Sequence, residues 1–428
     1  MESDRADLSR SGEAQSVLIV TGLFPTPGTY SFSGTFVVQQ IHALQRYYRV
    51  VVLVPVVRPR PVLRALVSRR HIRSHGLDVY RLPCLPMPLV RPYLLWRISI
   101  LTGRSWAPHV DRDILCGLLK RYLSTRIVSL AEHLHLRYQF VLVHGHELFI
   151  GDEAATIGRR LGIPSIVTIH ARHEFHESSW GRTAMQMIIE NLRSADYLLT
   201  VSQNARRTYT TLIDRPIHVI SNGYTPPPPH SVAPPAVRAF VRGRKVALYV
   251  GFLIDSKRVD LLLRAAQVLC DELGRLFCLL IVGVGPARRA LEGFVRAHGL
   301  EGQVRFVGEV HPSQMPAYYT LADLLVQPSV SDSFSMACLE AMAHGRPIIC
   351  TSNVGIAEYI RDGVEGFVVP PDDLEELTTR LRMLLTDDSQ RRQMGQRALE
   401  RAADFAWDVK IHEIVDFYHQ AMENVPRT

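Results

Sequence analysis

Short apolar runs rich in β-branched residues recur along the chain and alternate with longer stretches of helical character. Runs that are apolar at nearly every position are typical of parallel strands whose two faces are both covered by helices. The first series of such runs comprises residues 16–22, 50–55, 140–145, 164–170 and 197–202. The second series comprises residues 246–251, 277–283, 323–329 and 346–352. The pattern predicts two doubly wound α/β domains.

A proline-rich segment separates the two series. Its four consecutive prolines, Pro226–Pro229, fit neither a helix nor a central strand and are expected in a stiff linker. Domains of this kind bind ligands at the carboxyl ends of their strands, so a ligand is expected in the cleft where the two sets of strand ends meet. The predicted divisions are a disordered tail 1–15, an N-terminal domain 16–225, a linker 226–240, a C-terminal domain 241–405 and a final helix 406–428.

Composition narrows the class of protein and its compartment. Of the 428 residues, 47% are hydrophobic and 21% are charged, as in a folded globular protein. The six cysteines show no CxxC spacing, which argues against a structural zinc site or a disulfide framework and favours a reducing cytoplasm. The start of the chain is polar and acidic, unlike a signal peptide, and no apolar run approaches the ~20 residues that span a bilayer. A cytoplasmic protein is therefore predicted, with any membrane contact peripheral.

The net charge of +8 is unevenly distributed, because residues 14–110 contain twelve arginines and a single acid, Asp78. Such a stretch attracts phosphate groups on a membrane, a nucleic acid or an anionic substrate. Within it, residues 91–106 interleave Trp96 and Trp106 with arginines, a composition that suits an interfacial helix at the inner face of the plasma membrane. A buried helix in an enlarged first domain, or a protein simply rich in arginine, would give the same pattern. Nucleic-acid binding is not predicted, because the stretch lacks a recognised RNA-binding module and interleaved exposed aromatics.

The strongest chemical signal lies in residues 328–349. Asp332 follows an apolar strand, and Glu340 lies eight residues later on a helix expected to begin near Phe334. Two carboxylates at this spacing can accept hydrogen bonds from neighbouring hydroxyls of one ligand, and the helix start offers backbone N–H groups to a phosphate. An aspartate that caps the helix and an ordinary surface glutamate would look the same.

This segment resembles the acid–x7–acid signature of family 4 glycosyltransferases, which have the GT-B fold. Other stretches resemble motifs of the same family and occur in its order, namely 24–40, 143–147, 167–172, 194–202, 219–223, 250–265, 279–286, 304–310 and 355–373. The resemblance runs from about residue 17 to residue 420. It implies two Rossmann-like domains that face a central cleft and a final helix that crosses back to the N-terminal domain.

For the donor, the resemblance implies a nucleotide-diphosphate sugar, such as a UDP- or GDP-sugar, held mainly by the C-terminal domain. Lys257 would stabilise the departing diphosphate, Asp332 would bind hydroxyls of the sugar, and Glu340 would bind the ribose hydroxyls. The remaining positions assigned to donor binding are Gly34, Gly251, Arg258, Gly285, Val310, Ser333, Phe334 and Ser335.

For the acceptor, the resemblance assigns three histidines in the N-terminal half. His170 would contact the transferred sugar near the reaction centre, and it is counted with Lys257, Asp332 and Glu340 as catalytic. His144 and His146 would face the acceptor, a glycan or a lipid-linked intermediate. The predicted reaction is hexosyl transfer with retention, in which the leaving diphosphate helps to deprotonate the acceptor, and it needs neither a metal nor a cofactor.

Two positions depart from the family's pattern. Phe252 stands where the family usually has an arginine, which Arg258 is expected to replace, and Asp332 stands where the family prefers glutamate. These departures keep open a catalytically weak relative that serves as a binding subunit. A nucleotide-sugar epimerase of the same fold is a further alternative.

The sequence gives only weak signals for a metal site or a dinucleotide site. Asp111 and Asp113 form an Asp-x-Asp pair that could bind a metal, but they follow Pro108 at an apparent helix start, where acids favour the helix dipole. His144 and His146 lack a third residue at ligand spacing. The glycines of residues 283–286 are too few for a dinucleotide fingerprint.

Overall fold

The computed structural model describes residues 14–24, 34–56, 71–74, 77–83, 112–148, 150–170, 182–225 and 231–424. Within these ranges, none of the helices is both long and apolar enough to cross a bilayer. Residues 91–106 and Asp111, to which the membrane and metal hypotheses refer, lie outside them. The chain divides into two compact units. Unit 1 comprises residues 1–200, 206–220 and 411–428, and unit 2 comprises residues 201–205 and 221–410.

Unit 1 is built on a sheet of eight strands. They are β1 Ser16–Thr21, β2 Arg49–Val56, β3 His71–Ser74, β4 Leu77–Pro83, β5 Phe140–His146, β6 Ser165–Ile169, β7 Tyr197–Thr200 and β8 His218–Val219. Their order in the sheet is β3-β4-β2-β1-β5-β6-β7-β8, and every pair is parallel except β3 with β4. Strand β1 is fully buried and pairs in parallel with both β2 and β5. It therefore forms the centre of the sheet.

The helices of unit 1 connect these strands. They are α1 Thr35–Leu44, α2 Arg112–Tyr138, α3 Glu153–Leu161, α4 Arg182–Ser194 and α5 Gln203–Ile213. The first three residues of α5 belong to unit 2. Helix α3 ends at Gly162, whose φ of 65° lies in the left-handed region that glycine adopts without strain.

Unit 2 contains a six-stranded sheet that is parallel throughout. Its strands are β9 Lys245–Val250, β10 Phe277–Val282, β11 Val304–Gly308, β12 Leu324–Gln327, β13 Ile348–Thr351 and β14 Gly366–Val369. Their order is β11-β10-β9-β12-β13-β14. The described helices that follow are α6 Pro235–Val241, α7 Val259–Leu273, α8 Arg288–Ala297, α9 Met315–Leu321, α10 Met336–Ala343, α11 Leu374–Thr386, α12 Asp388–Ala402 and α13 Trp407–Glu423.

The predicted pair of doubly wound α/β domains is confirmed. Each of the nine predicted apolar runs contains or overlaps a strand, because buried parallel strands are apolar on both faces. Strands β3, β4, β8, β11 and β14 were not among the predicted runs. From Ile411 onward, α13 groups with unit 1.

The predicted linker ends earlier than expected. Residues 235–241, at its end, form helix α6 rather than an extended segment. Pro235 is the first residue of that helix, where its fixed φ is helical and its missing N–H costs no hydrogen bond. The four prolines at 226–229 lie outside the described residues.

In both sheets the strand order reverses at one point. In unit 1 the chain extends the sheet from β1 towards β2 and later from β5 towards β6, so the reversal falls between β1 and β5. In unit 2 it falls between β9 and β12. Loops that leave neighbouring strands in opposite directions open a crevice at their carboxyl ends. Each unit therefore has one position in its sheet that favours a ligand.

A fully buried charge cluster joins three helices of unit 1. The Lys120 Nζ atom of α2 donates to Asp152 Oδ1 over 2.6 Å and to Glu153 Oε1 over 2.7 Å, and all three side chains are 0% exposed. Asn191 of α4 donates to the other oxygen of Asp152, and Ser124 donates to the other oxygen of Glu153. Lys120 is thus the cation that compensates two carboxylates in the interior.

Replacing Lys120 with Met should strongly destabilise unit 1, by about 3–5 kcal/mol, because it leaves two carboxylates buried without a cation. The matched control is Lys245→Met, whose partner Asp388 is 44% exposed, so that solvent compensates its charge and the loss should be much smaller. Urea unfolding measures both effects, and hydrogen exchange in residues 112–161 locates the first. Equal urea midpoints for the two variants would contradict a compensating role for Lys120.

Candidate functional site

The point of strand reversal in unit 2 carries an ion pair between two of the predicted catalytic residues. Lys257 closes a short 3-10 helix, Asp255–Lys257, in the loop after β9, and Asp332 lies in the loop after β12. The Lys257 Nζ atom lies 2.6 Å from Asp332 Oδ2, and the two side chains are 16% and 17% exposed. The fold thus brings together two residues 75 positions apart, and both remain accessible to a ligand.

The loop that carries Asp332 is held by main-chain hydrogen bonds. The main-chain N–H of Asp332 donates to the Asn353 carbonyl, and its carbonyl accepts from the Gly355 N–H. The Ser202 hydroxyl donates to the Ser333 carbonyl over 2.7 Å. The sequence did not single out Ser202 as a residue that holds this loop. Ser202 directly precedes α5, which is the position that helix-capping serines occupy.

The helix after this loop begins two residues later than predicted. Helix α10 starts at Met336 rather than near Phe334, because Ser335 has a φ of 72° and cannot be helical. Phe334 is buried, and its ring packs against the rings of Tyr359 and Phe405. Its main-chain N–H donates to Asp332 Oδ1 over 3.3 Å. The side chain of Phe334 therefore anchors the loop, and its carbonyl also accepts a hydrogen bond from the Ile356 N–H, so its predicted contact with the donor sugar nucleotide stays a prediction.

Glu340 lies on α10 and is bound by a tyrosine that the sequence did not single out. The hydroxyl of Tyr319, on α9, donates to Glu340 Oε2 over 2.7 Å. Burial raises the pKa of Glu340, and the hydrogen bond from Tyr319 acts in the opposite direction. Burial and the neighbouring carboxylate raise the pKa of Tyr319 well above its ordinary value, so this hydroxyl stays a donor. The carboxyl of Glu340 is thus oriented and partly desolvated before any ligand binds.

The predicted glycines of unit 2 lie where two loops pass very close to each other. Gly283 has a φ of 141°, and a Cβ atom there would lie 1.9 Å from the carbonyl oxygen of Gly251. A Cβ atom at Gly285 would lie 2.2 Å from the carbonyl oxygen of Leu253. Larger residues would force these loops apart, so the glycines bring the main chain after β9 and β10 together. This accounts for Gly285 through packing, whereas a Cβ atom at Gly251 would instead lie 2.8 Å from the Tyr249 hydroxyl oxygen. Donor contact by the main chain of either glycine stays a prediction.

Arg258 was predicted to replace the arginine that the family usually has at the position of Phe252. Its guanidinium is less available to a ligand than this prediction requires. Its guanidinium pairs with Asp260 over 3.1 Å and with Asp372. Phe252 is 48% exposed at the end of β9, and its carbonyl accepts a hydrogen bond from Tyr249.

Val310, predicted to bind the donor base, is 4% exposed and belongs to the core of unit 2. The nucleotide base of a donor could therefore contact only the main chain of Val310.

In unit 1, the residue that precedes α1 lies close to the main chain just after β1. Gly34 precedes α1 with a φ of 122°, and a Cβ atom there would lie 2.1 Å from the carbonyl oxygen of Leu23. The Gly22 N–H donates to Glu147 Oε1 over 2.7 Å, which joins the ends of β1 and β5. Glycine is thus required at Gly34 by its close approach to Leu23, and its contact with the donor stays a prediction. The bond to Glu147 was not predicted.

The three predicted histidines lie together at the ends of β5 and β6. The rings of His144 and His146 are 4.2 Å apart between centroids, because residues i and i+2 of a strand point to the same face. The His146 Nδ1 atom lies 3.0 Å from His170 Nε2, and their rings stack at an angle of 12°. Phe36 packs against the other side of His170. The sequence grouped these residues by resemblance, and the structure places them in one stack.

The expected exposure of two of them is not found. His144 and His146 are both 0% exposed, so an acceptor cannot reach their rings in this structure. His144 is bound on both sides, by Tyr418 over 2.6 Å and by Thr168 over 2.7 Å. His170 is half-buried and is the member of the stack that a ligand can approach.

Burial keeps the stack uncharged. It lowers the pKa of His146 to about 3 and the pKa of His144 and His170 well below the ordinary histidine value. Mutual repulsion between the rings lowers the pKa of His144 and His170 further. All three are therefore neutral at physiological pH, where each ring has one N–H donor and one acceptor nitrogen.

Within the described part of the chain, no group of three or more His, Cys, Asp or Glu side chains is arranged to hold a metal ion. Asp111 lies outside the described residues, and the side chain of Asp113 is not described. The metal hypothesis for that pair therefore has no test in this structure.

Two family matches cover most of the chain. Residues 235–401 match the family described as glycosyl transferases group 1, and residues 101–226 match glycosyltransferase family 4. The first match includes Lys257, Asp332 and Glu340, and the second includes all three histidines.

Individual relatives agree with these matches. The chain is 28% identical to the O-antigen chain mannosyltransferase B of Escherichia coli over 260 residues, which cover 59% of this chain and 68% of the relative. It is 28% identical to D-inositol 3-phosphate glycosyltransferase of Thermobispora bispora over 344 residues, which cover 74% of this chain and 79% of the relative.

Solved structures show the same fold. Sucrose-phosphate synthase from Thermosynechococcus elongatus matches with a TM-score of 0.72 and 20% identity, over 96% of this chain and 99% of that one. Anabaena HepE in complex with UDP-glucose matches with a TM-score of 0.65 and 16% identity, over 95% of this chain and 100% of that one. At these identities the structures bear on the fold alone.

Replacing Glu340 with Gln should stabilise the protein at neutral pH. Because burial raises the pKa of this carboxyl, the folded state holds its proton more tightly than the unfolded state, and stability falls as pH rises above about 4.5. Glutamine keeps an acceptor for Tyr319 but has no charge to desolvate. Thermal melting across pH should show a gain at neutral pH that disappears below pH 4.5. The exposed Glu301→Gln is the control, and a Glu340→Gln variant no more stable than it at neutral pH would contradict the inference.

Proposed function

Because the chain is a GT-B glycosyltransferase similar to family 4, we propose that it transfers a hexosyl group from a nucleotide-diphosphate sugar to a hydroxyl acceptor, with retention and without a metal. The donor is held mainly by unit 2, and no cofactor takes part.

The single observation that carries this proposal is the ion pair between Lys257 and Asp332, which joins the loops after β9 and β12 of unit 2. A cation beside a carboxylate suits a ligand that combines a diphosphate with hydroxyl-rich sugars, and Glu340 follows on helix α10 as a second acceptor. The site also lies at the reversal of strand order, where open α/β sheets bind nucleotides. That HepE, a protein of similar fold, binds UDP-glucose supports the same class of donor.

The ion pair suggests how the donor is received. Before binding, Lys257 and Asp332 neutralise each other. An incoming diphosphate competes for the ammonium group, which then also compensates the charge that develops on the leaving group. Once the ammonium group of Lys257 turns towards the diphosphate, its ion pair with Asp332 weakens. The carboxylate of Asp332 can then accept hydrogen bonds from hydroxyls of the sugar. Binding of the diphosphate and recognition of the sugar are thereby coupled through one pair of side chains.

Retention is proposed to occur by attack on the face that the diphosphate leaves. A covalent intermediate would need a carboxylate in contact with the anomeric carbon and a second carboxyl group about 5 Å from the first as the acid, whereas Asp332 and Glu340 are assigned to hydroxyl recognition. The departing diphosphate oxygen then accepts the proton of the acceptor hydroxyl. Neutral His170 is assigned to contact the transferred sugar.

The acceptor is proposed to be a glycan or a lipid-linked intermediate. Relatives that elongate O-antigen chains or act on inositol 3-phosphate support an acceptor rich in hydroxyl groups. Peripheral attachment of the protein to an anionic membrane would place it beside a lipid-linked acceptor, and the arginines of residues 14–110 support this attachment.

A catalytically weak binding subunit is the second candidate, and one feature favours it. Phe252 replaces the family's usual arginine, and Arg258 is already paired with Asp260 and Asp372. Measurement of nucleoside-diphosphate release with and without acceptor separates the two candidates, because a binding subunit retains the donor without turnover. A nucleotide-sugar epimerase is identified in the same assay by an epimerised sugar.

Replacing Glu340 with Ala should lower kcat/KM by about 10–150-fold, because it removes charge-assisted hydrogen bonds worth ~1.5–3 kcal/mol. Thermal-shift measurements with UDP-, GDP- and ADP-sugars first identify the donor, since a ligand that binds the folded state raises its melting temperature. Asp332→Ala should act in the same direction, and Asp332→Glu should change the preference among donor sugars. The exposed Glu301→Ala is the control. Wild-type turnover in a folded Glu340→Ala variant would refute this assignment.

Chelation should leave turnover unchanged, because Lys257 and main-chain dipoles, rather than a metal, compensate the leaving group. The measurement is nucleoside-diphosphate release after treatment with EDTA and dialysis, with Mn²⁺ or Mg²⁺ added back. Loss of activity with EDTA and its return with either ion would refute metal independence and direct attention to Asp111 and Asp113.

Vesicles that contain phosphatidylglycerol should sediment the protein at low salt, and binding should fall as ionic strength rises. Each arginine at the interface contributes on the order of 1 kcal/mol, so a few suffice for reversible attachment. Neutral phosphatidylcholine vesicles are the control. Equal recovery in the supernatant with both kinds of vesicle would contradict membrane attachment.

A further inference from the structure

We propose that His146 is a positioning residue that sets the tautomer and ring orientation of His170, rather than an acceptor contact. This inference rests on the proposed function insofar as His170 contacts the transferred sugar. The coupling between the two rings can be tested without any turnover.

The contact between the rings is direct. The His146 Nδ1 atom and the His170 Nε2 atom are 3.0 Å apart, a hydrogen-bonding distance, and the ring planes are 12° from parallel. His146 is 0% exposed, whereas His170 is half-buried. Phe36 packs on His170 with 4.7 Å between ring centroids. His170 is therefore held on one side by an aromatic ring and on the other by a hydrogen bond to a buried ring.

One hydrogen bond between two neutral imidazoles leaves two possible arrangements. If His146 Nδ1 carries a proton, it donates a hydrogen bond to His170 Nε2. The neutral His170 ring must then carry its own proton on Nδ1. If His170 Nε2 carries a proton instead, it donates a hydrogen bond to His146 Nδ1. The neutral His146 ring must then carry its own proton on Nε2. In either arrangement the two rings share the same tautomer.

The tautomer decides what His170 offers to a ligand. Among the described residues, His170 Nδ1 and His146 Nε2 have no hydrogen-bond partner, although both atoms are buried. In the first arrangement the His170 Nδ1 atom is a donor, and in the second it is an acceptor. Because a buried polar atom without a partner costs free energy, a hydroxyl that reaches His170 Nδ1 when a ligand binds, and that has the matching polarity, is favoured. His146 thereby selects the polarity of this contact without touching the ligand.

A deeper layer holds His146 in turn. His144 packs against His146, and its two nitrogens are bound by the hydroxyls of Tyr418 and Thr168. With both nitrogens occupied, the His144 ring cannot rotate without losing a buried hydrogen bond. Tyr418 lies on α13, 274 residues from His144, so the last helix supports a stack that begins in the middle of the chain.

The first test is spectroscopic. In protein labelled with ¹⁵N-histidine, the ¹⁵N shifts of protonated and unprotonated ring nitrogens differ, and His146→Asn and His170→Asn variants assign the signals. We expect both rings to be neutral and to show the same tautomer. Different tautomers in the two rings, or a signal of His170 that does not change in His146→Leu, would overturn the inference whatever the enzyme's activity.

The second test separates hydrogen bonding from packing. Asparagine can place an amide near the position of His146 Nδ1, whereas leucine fills the space and removes the bond. We expect His146→Leu to lower kcat by ~10-fold or more with little change in the KM of the donor, and His146→Asn to restore a substantial part of it. Tyr48→Phe is the control, because the buried Tyr48 hydroxyl has no hydrogen-bond partner in the described part of the chain and its ring packs on Tyr418.

The outcomes distinguish the two proposals. Wild-type kcat in a folded His146→Leu variant would overturn the positioning role while leaving glycosyl transfer intact. Equal loss of kcat in the Asn and Leu variants would assign His146 to packing alone and would also overturn it. If no nucleotide sugar is turned over by the wild-type protein, the proposed function fails, and the spectroscopic result still decides the coupling.

Discussion

The reversal of strand order in each parallel sheet is the constraint on which the rest of the structure depends. Parallel strands all end at the same edge, and at the reversal two loops leave that edge in opposite directions and open a crevice. In unit 2 this crevice receives Lys257 and Asp332 from the loops after β9 and β12. In unit 1, Gly34 lies after β1, His144 and His146 lie at the end of β5, and His170 directly follows β6. The polar chemistry of each unit is concentrated there because the strands themselves are apolar.

Burial determines the charge of the groups at these positions. Removal of water disfavours a charged imidazole, which lowers the pKa of His146 to about 3 and keeps the stack neutral. The same effect raises the pKa of Glu340, whose carboxyl is oriented by Tyr319. Each group is held by a hydrogen bond that orients it before a ligand arrives. Such an arrangement costs stability in the free protein and reduces the reorganisation needed when a ligand binds.

The pair of Lys257 and Asp332 explains how a shortened acid fits the site. An aspartate is one methylene shorter than the glutamate that the family prefers, so its carboxylate lies ~1.5 Å further back. In this chain that carboxylate meets the ammonium group of Lys257 at 2.6 Å. The position is still acidic and accessible, but it is coupled to a cation. A preference among donor sugars would therefore depend on both side chains together.

The sequence by itself determined the two doubly wound domains and most of their strands, because buried parallel strands are apolar at consecutive positions and this pattern is local. It also singled out Lys257, Asp332, Glu340 and the three histidines as candidate site residues, since short motifs surround them. It did not reveal Tyr319 or Tyr418, nor that His144 and His146 are buried. Those facts depend on contacts between residues far apart in the chain, such as the 274 positions between His144 and Tyr418. Only the tertiary structure decides them, because no local pattern specifies which distant side chain will share a buried hydrogen bond.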